Sequence, residues 1–245
     1  RTAAQPDTLF RIGTGEHSDS LALDHILGIK SHVIRFFAKL PNALLELKTK
    51  SSNVDHLLDL PHGGKTVISW SINPKAIVEK EEHKTARLNE RLEAARKVSD
   101  AGYKVAFHFD PLIHYPDWEK GYQELVEQIL DAVPSDRIAW ISLGSLRYIS
   151  SLKSVVDERF PNSRVFLGEF VTGEDGKMRY LKKIRQRLFR NVQQKITQLA
   201  PQIPTYLCME NSSVWKNTMP HQPQTAIDVE SQIAGSLQQR FPIEA

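Results

Sequence analysis

Several short apolar runs of the sequence end in small polar or charged residues of types that bind polar ligands. The first run is followed by Gly13, Gly15, Glu16 and Ser18. Glycine lets the backbone approach a ligand closely, and the carboxylate of Glu16 can take an ammonium group. A glycine-rich turn with a serine cap for the next helix explains the same residues equally well.

The second and third runs also end in polar residues. Lys50 follows the second run, where an ammonium group can hold a carboxylate or a phosphate, although isolated lysines are more often solvated. Ser69, Ser71 and Asn73 alternate with apolar residues in the third run. Alternation places all three on one face of a strand, where buried polar groups need partners that a polar ligand would supply.

His108 and Asp110 share one face of the fourth run. A histidine beside a carboxylate can act as an acid–base pair or contribute to a metal site. Two residues do not make a metal site, however, and a hydrogen-bonded core histidine is at least as frequent. We therefore predict no metal ligands in this chain.

Cys208 is the single cysteine of the chain. One thiol excludes a disulfide framework, and it excludes an iron–sulfur cluster held by three or four thiolates of this chain. A buried cysteine is most often a small inert hydrophobe, and a role as hydrogen donor is the rarer alternative.

The elements that position these residues follow from the periodicity of the sequence. Apolar runs begin about 30 residues apart, the length of a βαβ unit, at 9–12, 44–47, 67–72, 105–109 and 138–143. Apolar residues recur every three or four positions over 85–101 and 116–132, which predicts helices between the runs. This alternation predicts an α/β fold with a parallel sheet covered by helices. Five such units fit either an open doubly wound sheet or part of a barrel.

We predict three regions along the chain. The β/α units occupy 1–150, an α/β extension occupies 151–218, and a tail rich in glutamine and proline occupies 219–245, where we expect poor order. A long basic helix is predicted over 177–199 in the extension. Its charges form either a solvated face or a nucleic-acid-binding face, carried by Lys177, Arg179, Lys182, Lys183, Arg185, Arg187 and Arg190.

The composition is that of a globular α/β protein. Of the 245 residues, 40% are hydrophobic and 25% charged, mean hydropathy is −0.37, and the net charge is +3 with a pI near 8.9. This charge is compatible with a nucleic-acid partner but indicates one only weakly. No apolar run reaches the length of about 20 residues that a membrane helix needs, and no signal peptide is recognisable, so we expect a cytoplasmic protein with a truncated or processed start.

Taken together, these segments resemble the spore photoproduct lyase family of radical S-adenosylmethionine enzymes. The resemblance is carried, in order, by residues 13–21, 47–58, 69–73, 91–102 and 206–212, and it covers about residues 9–216. The run Thr49-Lys50 to Val54-Asp55-His56-Leu57-Leu58 is the most specific of these pieces.

The resemblance implies a partial (β/α)6 radical-SAM barrel that lacks its first β/α unit. In the family that unit carries a Cys-x3-Cys-x2-Cys loop for a [4Fe–4S] cluster, so the cluster ligands are expected outside this chain. The second implied cofactor is S-adenosylmethionine, with Lys50 facing its carboxylate and Glu16 its ammonium group. The full set of candidate cofactor-binding residues is Gly13, Gly15, Glu16, Ser18, Lys50, Ser71, Asn73, His108 and Asp110.

The implied function is that of a lyase acting on DNA or a related nucleotide through a 5′-deoxyadenosyl radical, with the 245-residue chain inactive by itself. Glu16 stands where the family places its hydrogen-donating cysteine, so Glu16 and Cys208 are the candidate catalytic residues. A radical enzyme with a non-DNA substrate, or a non-catalytic nucleic-acid-binding module, remains the alternative. We expect Lys50 to be unpaired and its replacement to leave folding nearly unchanged.

Overall fold

A six-stranded parallel sheet forms the centre of the molecule in a computed structural model that describes residues 8–15, 18–220, 223 and 225–241. The strands lie in the order β1-β2-β3-β4-β5-β9, and each pair of neighbours is parallel. Their bounds are β1 Phe10–Thr14, β2 Ala43–Thr49, β3 Thr66–Ser71, β4 Lys104–Leu112, β5 Ile138–Ser145 and β9 Thr205–Leu207. The predicted parallel sheet is confirmed, and the strand near residue 205 joins it beside β5.

Helices connect the strands, as the periodicity predicts. They are α1 Asp24–Leu27, α2 Ile29–Phe37, α3 Lys75–Glu81, α4 Leu88–Asp100, α5 Trp118–Ala132, α6 Ser150–Arg159, α7 Lys182–Leu199, α8 Ser212–Trp215 and α9 Ala226–Arg240. A short antiparallel sheet of order β6-β8-β7 joins the end of the β/α units to the extension, with β6 Arg147–Tyr148, β7 Phe170–Thr172 and β8 Met178–Tyr180.

The central sheet has two faces with different cores. Every second residue of its strands, such as Leu45, Ile68 and Phe107, packs in a large core with the helices, and we call this side the outer face. The alternate residues Leu44 and Val67 belong to a second, smaller cluster, with Ala106, Trp140, Ile233 and Leu237. We call this side the inner face. A parallel sheet is normally covered on both sides, and α9 supplies part of the inner cover.

Two predictions about the C-terminal third are wrong. The basic helix begins at Lys182 and not at Lys177, because residues 178–180 pair in β8. Poor order was expected over 219–245, yet Ala226–Arg240 forms a helix. Its N-terminus carries a capping box, in which the Thr225 hydroxyl accepts from the backbone N–H of Asp228 and the Asp228 carboxylate accepts from that of Thr225.

Ion pairing also attaches α9 to the sheet. The guanidinium of Arg11 in β1 donates to both carboxylate oxygens of Glu230, at 2.6 Å and 3.2 Å. Because this docking needs few apolar residues, the glutamine-rich composition of the tail did not predict it. No helix among the described residues is long and apolar enough to cross a membrane.

Replacing Leu237 with alanine tests whether α9 is docked. Leu237 is 3% exposed, so the substitution leaves a cavity and should lower the free energy of unfolding by about 2–5 kcal/mol. Ile227 lies on the same helix and is 75% exposed, so Ile227→Ala is the matched control and should change stability by less than about 0.5 kcal/mol. Urea unfolding measures both. Equal effects of the two substitutions would mean that α9 does not pack on the sheet.

Candidate active site at the strand ends

Polar side chains line the inner face where the parallel strands end. By alternation from the inner-face residues below them, Lys48, Ser71, Asp110, Gly144 and Cys208 lie at this edge, and we call these five residues the end layer. Ligands of parallel α/β folds bind where the carboxyl ends of the strands converge. The end layer is therefore the candidate active site.

A network of buried charged and polar groups lies one step below the end layer. The carboxylate of Glu46 accepts from Arg11 at 3.1 Å and meets the His108 ring at 2.7 Å. The other ring nitrogen of His108 lies 2.6 Å from the Ser142 hydroxyl. Both nitrogens of His108 are thus occupied, and neither contacts Asp110. His108 has the surroundings of a hydrogen-bonded core histidine, which was one of the two interpretations of the sequence.

The Glu46 carboxylate stays ionised in this network. Burial by itself raises the pKa of Glu46, but the charges of His108 and Arg11 outweigh burial and lower it to about 2. Sequence reasoning missed Glu46 and Arg11, although a glutamate inside an otherwise apolar run was a usable signal.

Cys208 and Asp110 lie side by side in the end layer. Burial, then the negative charge of Asp110 and a hydrogen bond to its carboxylate, raise the pKa of Cys208 to about 12, so the sulfur keeps its proton. Gly144 makes room for this carboxylate, because a Cβ at that position would lie 2.4 Å from Oδ1 of Asp110. The structure thus brings together two candidates from distant parts of the chain.

Lys50 is not the unpaired lysine that we expected. Its Nζ donates to Oε1 of Glu82 at 2.6 Å, and Glu82 also pairs with the buried Arg91 at 2.7 Å. Asn73 donates to the same Oε1 at 3.0 Å and accepts from Tyr122 of α5. Burial is the largest cause that lowers the pKa of Lys50, with Glu82 acting in the opposite direction. The expectation that Lys50 is unpaired is therefore wrong.

The loop after β1 is fixed to the end of β2 by Asp19. The carboxylate of Asp19 accepts from the Thr49 hydroxyl at 2.6 Å and from the backbone N–H of Lys50 at 2.7 Å. Gly15 has a φ of 93°, and a Cβ there would lie 2.3 Å from the carbonyl oxygen of Lys48. Only glycine allows this approach. Ser18 is exposed beside this loop, and Glu16 lies outside the described residues.

Three arginines that follow β5 in the sequence lie near the residues after β9. Arg185 of α7 is buried and pairs with the Glu210 carboxylate at 2.9 Å, so its predicted place on an exposed basic face is wrong. Arg147 of β6 and Arg179 of β8 are direct cross-strand partners. Arg179 pairs with Asp175, and the charge of Arg147 acts on Cys208.

Comparison with known proteins identifies the family of this chain. A family model described as spore photoproduct lyase matches residues 3–206. The chain belongs to the spore photoproduct lyase family. It is 34% identical over 155 residues to the spore photoproduct lyase of Geobacillus sp. (strain Y412MC61), a match that covers 62% of this chain and 45% of that protein. The chain thus spans about half the length of this relative.

Solved structures of the family have the same fold. A spore photoproduct lyase complexed with dinucleoside spore photoproduct superposes with a TM-score of 0.76 at 28% identity, over 84% of this chain and 63% of the solved chain. A variant of the enzyme with bound AdoMet and dinucleoside spore photoproduct gives a TM-score of 0.74 at the same identity and coverage. The predicted partial radical-SAM barrel is confirmed.

The Glu46 network makes stability depend on pH. Because the folded pKa of Glu46 lies near 2 and the ordinary value is 4.5, its stabilisation is present above about pH 4.5 and is lost as pH falls toward 2. Glu46→Gln should lower the free energy of unfolding by about 3–5 kcal/mol at neutral pH, and by less at about pH 3. Urea unfolding at both pH values is the measurement. Glu93→Gln, at an exposed pair with Arg96, serves as the control; an equal cost of Glu46→Gln at both pH values would contradict the network.

Proposed function

We propose that this chain forms the cofactor- and substrate-binding barrel of a radical S-adenosylmethionine lyase that acts on DNA or a related nucleotide. The observation that carries the proposal is the cation Lys50 at the end of β2, in a chain of the spore photoproduct lyase family. Solved relatives have been described with AdoMet and with dinucleoside spore photoproduct. The proposal extends those ligands to this chain.

The residues at the strand ends fit S-adenosylmethionine. An ammonium group has three N–H donors, and Glu82 takes one from Lys50, so donors remain for the carboxylate of the cofactor. Ser18 and Ser71 would supply hydroxyl groups from the neighbouring strand ends. When bound, S-adenosylmethionine supplies the group that abstracts hydrogen from the substrate.

An iron–sulfur cluster does not fit the residues of this chain. Cys208 is the one cysteine, and its raised pKa with Asp110 beside it favours a thiol over the thiolate that iron requires. In the part of the chain that the structure describes, no group of three or more potential metal ligands comes together. We therefore place the cluster ligands outside this chain.

Cys208 is the candidate hydrogen donor within the chain. Donation of a hydrogen atom needs an intact S–H bond, and the pKa of about 12 keeps that bond at neutral pH. Its place in the end layer beside Asp110 supports the role. The other candidate catalytic residue, Glu16, lies outside the described residues, and its role stays a prediction.

Positive side chains near the end layer support an anionic substrate. Arg147 and Arg179 are opposite each other on β6 and β8, and two like charges in this position are unfavourable unless anions lie beside them. Asp175 pairs with Arg179, and a substrate phosphate would meet Arg147. Lys182 and Lys183 begin α7 with exposed side chains, and they support the alternative of a nucleic-acid-binding module without catalysis.

Lys50→Met tests the cofactor site. The loss of a charge-assisted hydrogen bond to a carboxylate is worth about 1.5–3 kcal/mol, so affinity for S-adenosylmethionine should weaken by about 10- to 150-fold. Because Glu82 loses a partner, the melting temperature should also fall moderately. Calorimetric titration of the cluster-loaded full protein and thermal melts measure the two effects.

Two further variants separate binding from folding. Lys50→Arg keeps a cation and should retain most of the affinity, whereas Lys120→Met removes an exposed lysine of α5 and should change neither property. Equal affinity of the Lys50→Met and unaltered proteins removes Lys50 from the site. A weaker affinity of Lys50→Met that is accompanied by a collapsed melting temperature would show that pairing with Glu82, and not contact with the cofactor, is what matters.

The salt dependence of DNA binding tests the nucleic-acid partner. If Lys182 and Lys183 contact phosphates, the slope of log affinity against log salt should become less negative by about 0.9 for each lost contact. The double variant Lys182→Gln with Lys183→Gln should therefore differ by nearly 2, and a double variant at the exposed Lys75 and Lys120 is the control. Fluorescence anisotropy with duplex DNA gives the slopes. An unchanged slope would make α7 a solvated face.

A further inference from the structure

A small cavity opens at the strand ends beside Lys50, next to the end layer. Its volume is about 270 Å³, and it lies between the ends of β2, β3 and β4 and the loop after α6. Pockets for drug-sized ligands usually have about 300–1,000 Å³. The space therefore suits one ring system and not a whole nucleotide chain.

The walls of this cavity are mainly apolar, with an aromatic stack among them. Pro111, Ile113, Val156 and Val165 contribute aliphatic surface. His83 and Phe160 also line it, with ring centroids 4.7 Å apart and planes only 12° from parallel. Phe160 is 42% exposed, so a ligand can reach its ring from solvent. A flat aromatic surface beside an apolar cavity suits a planar ligand.

One wall of the cavity is polar. Lys50 and Asn73 line it, together with the Glu82 carboxylate that joins them. Lysine and the asparagine amide donate hydrogen bonds, and a carboxylate accepts them. A planar ligand with carbonyl and N–H groups on its edge would match this wall. These are the groups that a nucleobase presents.

The loop that carries Phe160 is held in place. The carboxylate of Glu81 accepts from the Ser163 hydroxyl at 2.6 Å and from the backbone N–H of Arg164 at 2.9 Å. Glu81 ends α3, so these bonds join the loop after α6 to the helix after β3. The cavity is thus preformed, and a ligand would pay little to order it.

We propose that this cavity binds one base of the nucleic-acid substrate, which stacks on Phe160 and bonds to the polar wall. The inference rests on the proposed nucleotide substrate and adds a base-binding residue pair, Phe160 and His83, to it. A nucleobase could come from the substrate or from the adenine of S-adenosylmethionine. The exposed ring at the mouth of the cavity favours the substrate, because a flipped or single-stranded base reaches such a ring from solvent.

The test uses a single-stranded oligothymidylate with one 2-aminopurine, whose fluorescence is quenched when it stacks. The full protein should bind it and quench it. Phe160→Ala should weaken binding by about 5- to 150-fold and abolish the quenching, since stacking of one base on one ring is worth that factor. Phe160→Trp should restore both. Leu152→Ala, at a residue of α6 that is 41% exposed and does not line the cavity, should change neither.

The outcomes separate this inference from the function on which it rests. If the Phe160→Ala protein binds the oligonucleotide with the same affinity and quenching as the unaltered protein, the base site is overturned, but the proposal of a DNA substrate is not. No binding by the unaltered protein overturns both. In a third outcome, S-adenosylmethionine displaces the 2-aminopurine, and Phe160→Ala lowers the affinity for S-adenosylmethionine but not for the oligonucleotide. The cavity then binds the adenine of the cofactor, and its assignment to the substrate is wrong. Thermal melts of all variants exclude unfolding as the cause.

Discussion

The inner face of the barrel depends on the buried carboxylate of Glu46. It neutralises Arg11 of β1 and bonds to His108 of β4, which in turn reaches Ser142 of β5. Buried charges are costly to separate, so this network fixes the spacing of four strands. Lys48, Asp110 and Gly144 each follow a member of the network by two residues, and the end layer is therefore held by the layer below it.

The framework of the fold was predictable because its signals are local. Apolar runs spaced by amphipathic segments predicted the first five strands and the helices between them, and the structure has both. The place of β9 beside β5 and the docking of α9 depend on contacts between distant parts of the chain. Periodicity does not carry such information, and a glutamine-rich composition concealed the two buried residues of α9.

The candidate site was predictable in position but not in pairing. Alternation put His108 and Asp110 on one face of β4, and the register of the sheet brings Ser71 of β3 beside His108. The partners of His108 and Lys50, however, are glutamates 62 and 32 positions away in the sequence. Arg185 likewise pairs with the buried Glu210 and does not contribute to an exposed basic face of α7. A run of charged residues in the sequence shows which side chains could bind a ligand of opposite charge. Tertiary contacts decide which of these side chains are already paired within the fold.

The cluster around Glu82 has a consequence for how a ligand is attracted. Lys50 and Arg91 both pair with this one carboxylate, so the three side chains together carry one net positive charge in a largely desolvated place. An anion that arrives there makes the cluster neutral, and the low local polarity strengthens the attraction. A neutral group in the same place gains only hydrogen bonds from the cluster, and a cationic group is repelled. The Glu82 carboxylate, which links the end of β2 to α4, thus also makes this site selective for negatively charged groups.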